Sequence, residues 1–249
     1  MEENDIIFGR HPVIEAREMG KTIDKIFFQQ GVRGEVEKEV RKLCKQREVP
    51  LQYVPVQKLN KMVNGNHQGI IGLMPMVTYQ SLSDLIPFLF EQGNDPFVVL
   101  LDGVTDVRNM GAIARSAEVF GAHALVIPSK GGAWINGAAI KSSAGALNRI
   151  NICREKSIPA AIQELQAAGI EVWAAELNTD TLLHEVDWNQ PMALVLGSEG
   201  EGISRFTKEV IDGSFLIPQI GKTDSLNVSV AGGVICYEAL RQRKFGITQ

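Results

Sequence analysis

The sequence holds only three cysteines, Cys44, Cys153 and Cys236. They are odd in number and far apart, which excludes both a disulfide framework and a zinc-binding spacing. The histidines, His11, His67, His123 and His184, are equally scattered and show no metal-ligand spacing. Long apolar runs are missing too: Phe97–Leu101 is cut off by Asp102, far short of the ~18–20 residues that span a bilayer. The first residues, Met-Glu-Glu-Asn-Asp, are acidic, with no apolar core behind them, so no cleaved secretory signal is expected. A reducing cytoplasm fits this cysteine usage. Positive charge is not in excess either. The net charge is −4, which argues against a simple polybasic nucleic-acid binder. It leaves room for a local basic patch, because steering depends on how charge is distributed.

What is present is ordinary globular material: 45% hydrophobic and 22% charged residues in a chain of 249. That length suits one large or two small domains. Of the 24 glycines, eight precede residue 97 and sixteen follow, so the second region is richer in turns and close backbone approaches. Residues 1–77 predict a small α/β domain. Helices are expected at Val13–Met19, Gly34–Arg47 and Gln57–Val63, and strands at Lys25–Gln29, Leu51–Pro55 and Gly69–Met74. Lys38, Arg41, Lys42, Lys45 and Arg47 gather on the longer helix. They suit either a solvated face interleaved with Glu35, Glu37 and Glu39 or a nucleic-acid contact. Residues 78–96 predict a linker with a helix over Ser81–Gln92 and a Gly93-Asn94-Asp95-Pro96 turn.

Residues 97–249 alternate short apolar runs with helical stretches. Strands are expected at Phe97–Leu101, Ala124–Ile127, Glu171–Ala175, Ala193–Leu196 and Phe215–Ile217. Helices are expected at Gly111–Phe120, Pro159–Ala168, Ser204–Ile211 and Val228–Arg243. Continuous apolar runs suit strands covered on both faces, and the alternation predicts a parallel α/β sheet.

Common nucleotide motifs fail. Gly221-Lys222-Thr223 ends like a P-loop, but the required first glycine falls at Leu216. Gly197-Ser198-Glu199-Gly200-Glu201-Gly202 has the order G-x-x-G-x-G, not the dinucleotide fingerprint, and its acids would repel a pyrophosphate. No nucleophile elbow is present. A nucleotide-dependent oxidoreductase is disfavoured on these grounds.

Three segments carry signal. Asp106–Ala117 follows the first strand of the region; read locally, Asn109 caps a helix and Arg115 sits on its exposed face. Ala193–Ser204 runs a buried strand into a glycine loop and a helix, and ligands in open α/β sheets sit at such strand ends. Phe215–Ala231 runs from a strand through a loop into a helix, with Ser225 as a candidate cap. In order and spacing the three together resemble the motifs of the SpoU (TrmH-type) branch of the SPOUT superfamily, RNA ribose 2′-O-methyltransferases that use S-adenosylmethionine. The N-terminal segments Phe8-Gly9-Arg10-His11-Pro12-Val13-Ile14-Glu15-Ala16 and His67-Gln68-Gly69-Ile70 resemble that family's substrate-binding domain.

The resemblance implies a catalytic domain with a C-terminal trefoil knot, which nothing in composition or periodicity reveals. It implies a homodimer packed through the catalytic domains, with Val230, Val234, Ile235, Tyr237 and Leu240 of the last helix available to a core or an interface. Arg115 takes the family's catalytic arginine position. A guanidinium is a poor base, so its expected role is holding phosphate and the emerging alkoxide, and the implied dimer allows it to act at the partner's pocket. Asn109 orients the ribose or Arg115. Glu199 organises the loop, through an arginine in one reading. Ser225 and Asn227 stand beside the hydroxyl. Gly197, Ile217 and Leu226 hold S-adenosylmethionine through backbone atoms, and no metal is expected. The implied substrate is RNA, foremost a guanosine of large-subunit rRNA. A tRNA ribose and a non-catalytic ribosome-assembly role are the alternatives. Basic strips combining Arg10, Arg17 and the Lys38–Arg47 cluster with Arg108, Arg115 and Arg149 would offset the acidic net charge.

Overall fold

The computed structural model describes residues 6–19, 21–46, 49–222 and 225–246. Arg47 and the side chain of Arg17 lie outside what is described. The chain divides into two compact units between Met76 and Val77.

The first unit runs β1 (Ile6–Phe8), α1 (Arg10–Glu18), β2 (Lys25–Gln29), α2 (Glu35–Gln46), β3 (Leu51–Val54), α3 (Val56–Met62) and β4 (Ile70–Leu73). Its sheet has the order β1-β4-β2-β3. Strand β4 is antiparallel to both neighbours, and β2 and β3 are parallel. Val13, Ile26, Phe28, Val40, Cys44 and Ile70 form the core. Helix α2 buries Val40 and Cys44, one turn apart on one face. On its charged side Arg41 pairs with Glu37 at 3.0 Å and donates to the Tyr53 hydroxyl at 3.0 Å.

The second unit runs β5 (Tyr79–Gln80), α4 (Leu82–Glu91), β6 (Phe97–Leu101), α5 (Val107–Val119), β7 (Ala124–Pro128), α6 (Gly137–Ser142), β8 (Asn151–Glu155), α7 (Ile158–Ala167), β9 (Glu171–Ala175), β10 (Met192–Leu196), α8 (Arg205–Lys208), β11 (Gly213–Phe215) and α9 (Val228–Phe245). Its seven strands are all parallel, in the order β11-β9-β10-β6-β7-β8-β5. Every residue of β6 and β10 is buried, as central parallel strands require. Strand alternation sends Phe97, Val99 and Leu101 to one face with Ile113 of α5 and Ile235 of α9. Val98 and Leu100 go to the other with Leu85 of α4 and Ile162 of α7. The result is a three-layer α/β/α unit. Trp188 is fully buried between Phe97 and Phe215, edge-on to both at 5.7 and 5.6 Å. Among the described residues no helix is long and apolar enough to cross a membrane.

Several expectations change. The 78–96 segment is built into the second unit: β5 extends its sheet, and α4 buries Leu82, Leu85, Ile86 and Leu89 against it. The strand expected at Phe215–Ile217 is Gly213–Phe215, because this edge strand pairs only with β9 and Leu216 turns to bridge Leu182. The helix expected over Ser204–Ile211 closes after four residues. Strand β8 gave no apolar run, since only Ile152 and Cys153 of its five residues are buried.

From β6 the chain adds strands in one direction through β7 and β8, then crosses to β9, on the far side of β10. The order therefore reverses between β6 and β10. Ligands of open parallel sheets sit outside the carboxyl ends of the strands at such a point.

Candidate active site

Three loops meet near that switch point. The first leads into α5. Asp106 caps the helix, accepting from the backbone N–H groups of Arg108 at 2.7 Å and Asn109 at 3.0 Å. These bonds hold the Asp106 carboxyl below its usual range. The cap is therefore Asp106 and not Asn109. Asn109 stands in the third helical position, with its side chain released for another partner.

The second loop follows β10. Ser198 and Gly202 exchange backbone bonds at 2.9 and 3.1 Å, closing a tight loop that presents Glu199. Gly200 and Gly202 have φ of +90° and +70°, a region that side chains disfavour. At the loop's end the Ser204 N–H donates to Asp102 Oδ2 at 2.7 Å, tying it to the end of β6. Gly197 lies against backbone: a Cβ there would sit 2.2 Å from the Gly202 carbonyl carbon and 2.4 Å from the Ile203 nitrogen.

The third loop opens α9. Its cap is Asn227, whose Oδ1 accepts from the Ser229 N–H at 2.9 Å and hydroxyl at 2.6 Å. Ser225, the expected cap, is exposed, and its side chain bonds no described residue. The capping geometry leaves the Asn227 Nδ2 group free to reach across the site.

These loops bring three of the sequence candidates into one network. Asn109 Nδ2 donates to Glu199 Oε1 at 3.0 Å. Asn227 Nδ2 donates to Asn109 Oδ1 at 3.2 Å and also to Glu199 Oε1. Each amide thus fixes the other, and both donate to one carboxylate oxygen. Among the described residues the partners of Glu199 are two asparagines and not an arginine. Arg115 is exposed, lies six residues beyond Asn109 on α5, and has no hydrogen bond or ion pair among the described residues. Six residues are ~9 Å of helical rise and a third of a turn in facing, so Arg115 stands apart from the network of its own chain.

The backbone around the network has unused polar groups. Among the described residues the N–H and C=O groups of Gly197, Ile217 and Leu226 make no hydrogen bond within the protein. Every backbone carries one donor and one acceptor that must find a partner when covered. These groups, beside the half-exposed apolar side chains of Ile217 and Leu226, fit an adenosyl group, whose ring needs both apolar contact and hydrogen bonds along its edge. The described residues hold no cluster of His, Cys, Asp or Glu able to bind a metal ion.

Some site residues escape sequence reasoning. Asp102 supports the Glu199 loop across the switch point, and Gly232 lets α9 approach β10, where a Cβ would sit 2.9 Å from Leu196 Cδ1. Their signal was slight: an acid directly after a strand and a glycine inside a helix.

Fold and site together define an α/β protein with a side-chain network and unused backbone groups at the switch point of a parallel sheet. The sequence profile of the SpoU rRNA methylase family matches residues 96–237. The profile for RNA 2′-O ribose methyltransferase substrate binding matches residues 6–80. A Bacillus subtilis protein named for the TrmH family of tRNA/rRNA methyltransferases is 34% identical over 243 residues, 97% of each chain. The SpoU methyltransferase AviRb from Streptomyces viridochromogenes, in complex with AdoMet, is similar with a TM-score of 0.61 and 26% identity, over 97% of this chain and 91% of that one. A TrmH/SpoU tRNA modifying enzyme from A. aeolicus is similar with a TM-score of 0.56 and 32% identity, over 61% of this chain and 77% of that one. The chain belongs to the SpoU rRNA methylase family, and it is an RNA methyltransferase with an N-terminal substrate-binding domain.

Proposed function

We propose that this protein methylates the 2′-hydroxyl of a guanosine ribose in large-subunit rRNA. The observation that carries the reading is the Asn109–Glu199–Asn227 network, set beside unused backbone groups at the switch point. S-adenosylmethionine, when bound, supplies a methyl group already activated by the sulfonium. Gly197, Ile217 and Leu226 would hold it through their backbone groups. Asn109 and Asn227, locked by Glu199, would orient the ribose with its 2′-hydroxyl toward the cofactor. Such positioning is worth several kcal/mol of a barrier. Ser225, on the same loop as Asn227, contacts the ribose. Arg115 would hold the adjacent phosphate and stabilise the charge on the 2′-oxygen as its proton passes to water.

The isolation of Arg115 from its own network favours action at a partner's site. The exposed Val230, Val234 and Tyr237 follow one another along α9 at helical spacing, and Tyr237 packs on Phe120 at 5.7 Å. This stripe supports a homodimer through the catalytic domain; Ile235, fully buried, belongs to the core. The return of the chain from edge strand β11 to α9, packed beside α5, is consistent with the C-terminal knot. Of the basic residues proposed to line RNA, Arg149 is engaged with Glu118 at 2.8 Å, which leaves Arg108 and Arg115 as the cations of the α5 side.

The rRNA assignment is supported by the match to the SpoU rRNA methylase family over residues 96–237. The test is methyl transfer from labelled S-adenosylmethionine to unmodified large-subunit rRNA, with tRNA and Arg115→Ala in parallel. The expected result is alkali-resistant label in a guanosine of rRNA, lost with Arg115→Ala. Label confined to tRNA overturns the substrate. Cofactor binding without transfer to rRNA, tRNA or pre-ribosomal particles favours an assembly factor instead.

A further inference from the structure

The N-terminal unit contains a cavity of about 690 Å³ whose lining includes Arg10, Val32, Val56, Asn60, His67 and Gln68. Its walls combine apolar side chains, amides, imidazoles and one guanidinium, with no carboxylate among them. The polar groups are already oriented. His67, only 7% exposed, accepts from the Gly69 N–H through Nδ1 at 3.0 Å. Its proton therefore sits on Nε2, which donates to Asn60 Oδ1 at 2.7 Å. With its oxygen taken, Asn60 has its Nδ2 amide N–H groups left to donate to a ligand. Gln68 is treated alike: its Oε1 accepts from the Arg10 backbone N–H at 3.1 Å, which leaves its Nε2 amide N–H groups to donate. Gln68 also has φ of +50°, and Gly69 follows at +82°. Such a conformation is uncommon for a residue with a side chain.

Of the four amides in the lining, Asn60 and Gln68 have their oxygens occupied, and with the Arg10 guanidinium, whose Nε donates to the Gln68 carbonyl at 3.4 Å, they make one wall rich in donors. A ligand that fits is planar, partly apolar, carries carbonyl acceptors on its edge, and brings negative charge nearby. Sequence-selective RNA recognition works on unstacked nucleotides read along their edges. We propose that this cavity receives one unpaired keto-base nucleotide, uracil or guanine, of the substrate RNA. The base edge accepts from Asn60 and Gln68, Val32 and Val56 contact the ring, and Arg10 holds the phosphate. This rests on the proposed RNA-modifying function and adds a point of sequence selection outside the catalytic unit.

The test uses the full chain with single-stranded decamers of uridine, cytidine and adenosine, the uridine strand also in 4-thiouridine form for crosslinking. Gln68→Gly removes the amide while easing the backbone, and Arg10→Lys keeps the charge but loses the fork. The uridine decamer is expected to bind about 5-fold or more tightly than the other two, within the range of one good edge contact. Either variant should remove most of that preference while S-adenosylmethionine affinity stays unchanged, and crosslinks should fall within residues 60–69. Equal affinity for the three strands, indifference to both variants, or crosslinks confined to residues 77–249 would overturn the proposal. Uridine selectivity without methyl transfer to any RNA would sink the enzymatic reading and spare the cavity; transfer without selectivity would do the reverse.

Discussion

Replacing Gly197 with alanine tests the site through a single methyl group. The added Cβ would lie 2.2 Å from the Gly202 carbonyl carbon, 2.4 Å from the Ile203 nitrogen and 2.5 Å from the Gly202 oxygen. All three are backbone atoms, so no flexible side chain can swing away. Ordinary contact begins near 3.4 Å, so the loop must move by about 1 Å relative to β10. Overpacking of this kind costs about 1–3 kcal/mol of stability. The functional effect should be larger, because the same loop carries Glu199, which joins Asn109 and Asn227. Misplacement by about 1 Å can reduce rates by about 10²-fold. Methyl transfer, calorimetric titration with S-adenosylmethionine and thermal unfolding would be measured on one preparation. The expected outcome is a folded protein with a modestly lower Tm, weakened cofactor binding and transfer down by about two orders of magnitude. A variant with wild-type transfer and affinity would refute the claim that this loop position sets the site.

Two further outcomes are expected. Arg243 donates to the carbonyls of Trp188 at 2.7 Å, Gln190 at 2.6 Å and Asp95 at 2.8 Å, fastening the end of α9 to two loops. Arg243→Met should cost about 2–3 kcal/mol in denaturant unfolding, because covered acceptors lose their donor. Burial and the Arg243 charge hold the His123 imidazole below its usual range, so the same variant should move that titration upward by NMR; no change in either would remove the clamp. Burial pushes the thiols of Cys153 and Cys236 up to about 12. At pH 8 only about one in 10⁴ is thiolate. Native protein should resist iodoacetamide at both positions, and labelling within minutes would contradict their burial.

Much of the molecule was legible in the sequence because the signals are local. Central strands buried on both faces must be apolar throughout, so Phe97–Leu101 coincides with β6 and Ala193–Leu196 falls within β10. Strand β8 was missed because it lies beside the two-residue edge strand β5 and buries only its middle. The 78–96 segment looked like a linker because its turn cluster marks a chain reversal, and a reversal within a domain looks the same as one between domains. The apolar face of α4 was the contrary signal.

The sequence by itself determined the alternation of strands and helices, the three motif segments and the residue types they offer. Tertiary structure alone decided which of those residues meet. Asn109, Glu199 and Asn227 are up to 118 positions apart; the reversal of strand order between β6 and β10 and the return of the chain from edge strand β11 to α9 bring their loops together. It also decided the caps. Asn109 and Ser225 had the right chemistry for that role, but Asp106 and Asn227 hold the helix-start geometry, since a cap is chosen by where the backbone turns. That choice frees one asparagine and aims the other, and the network follows from it.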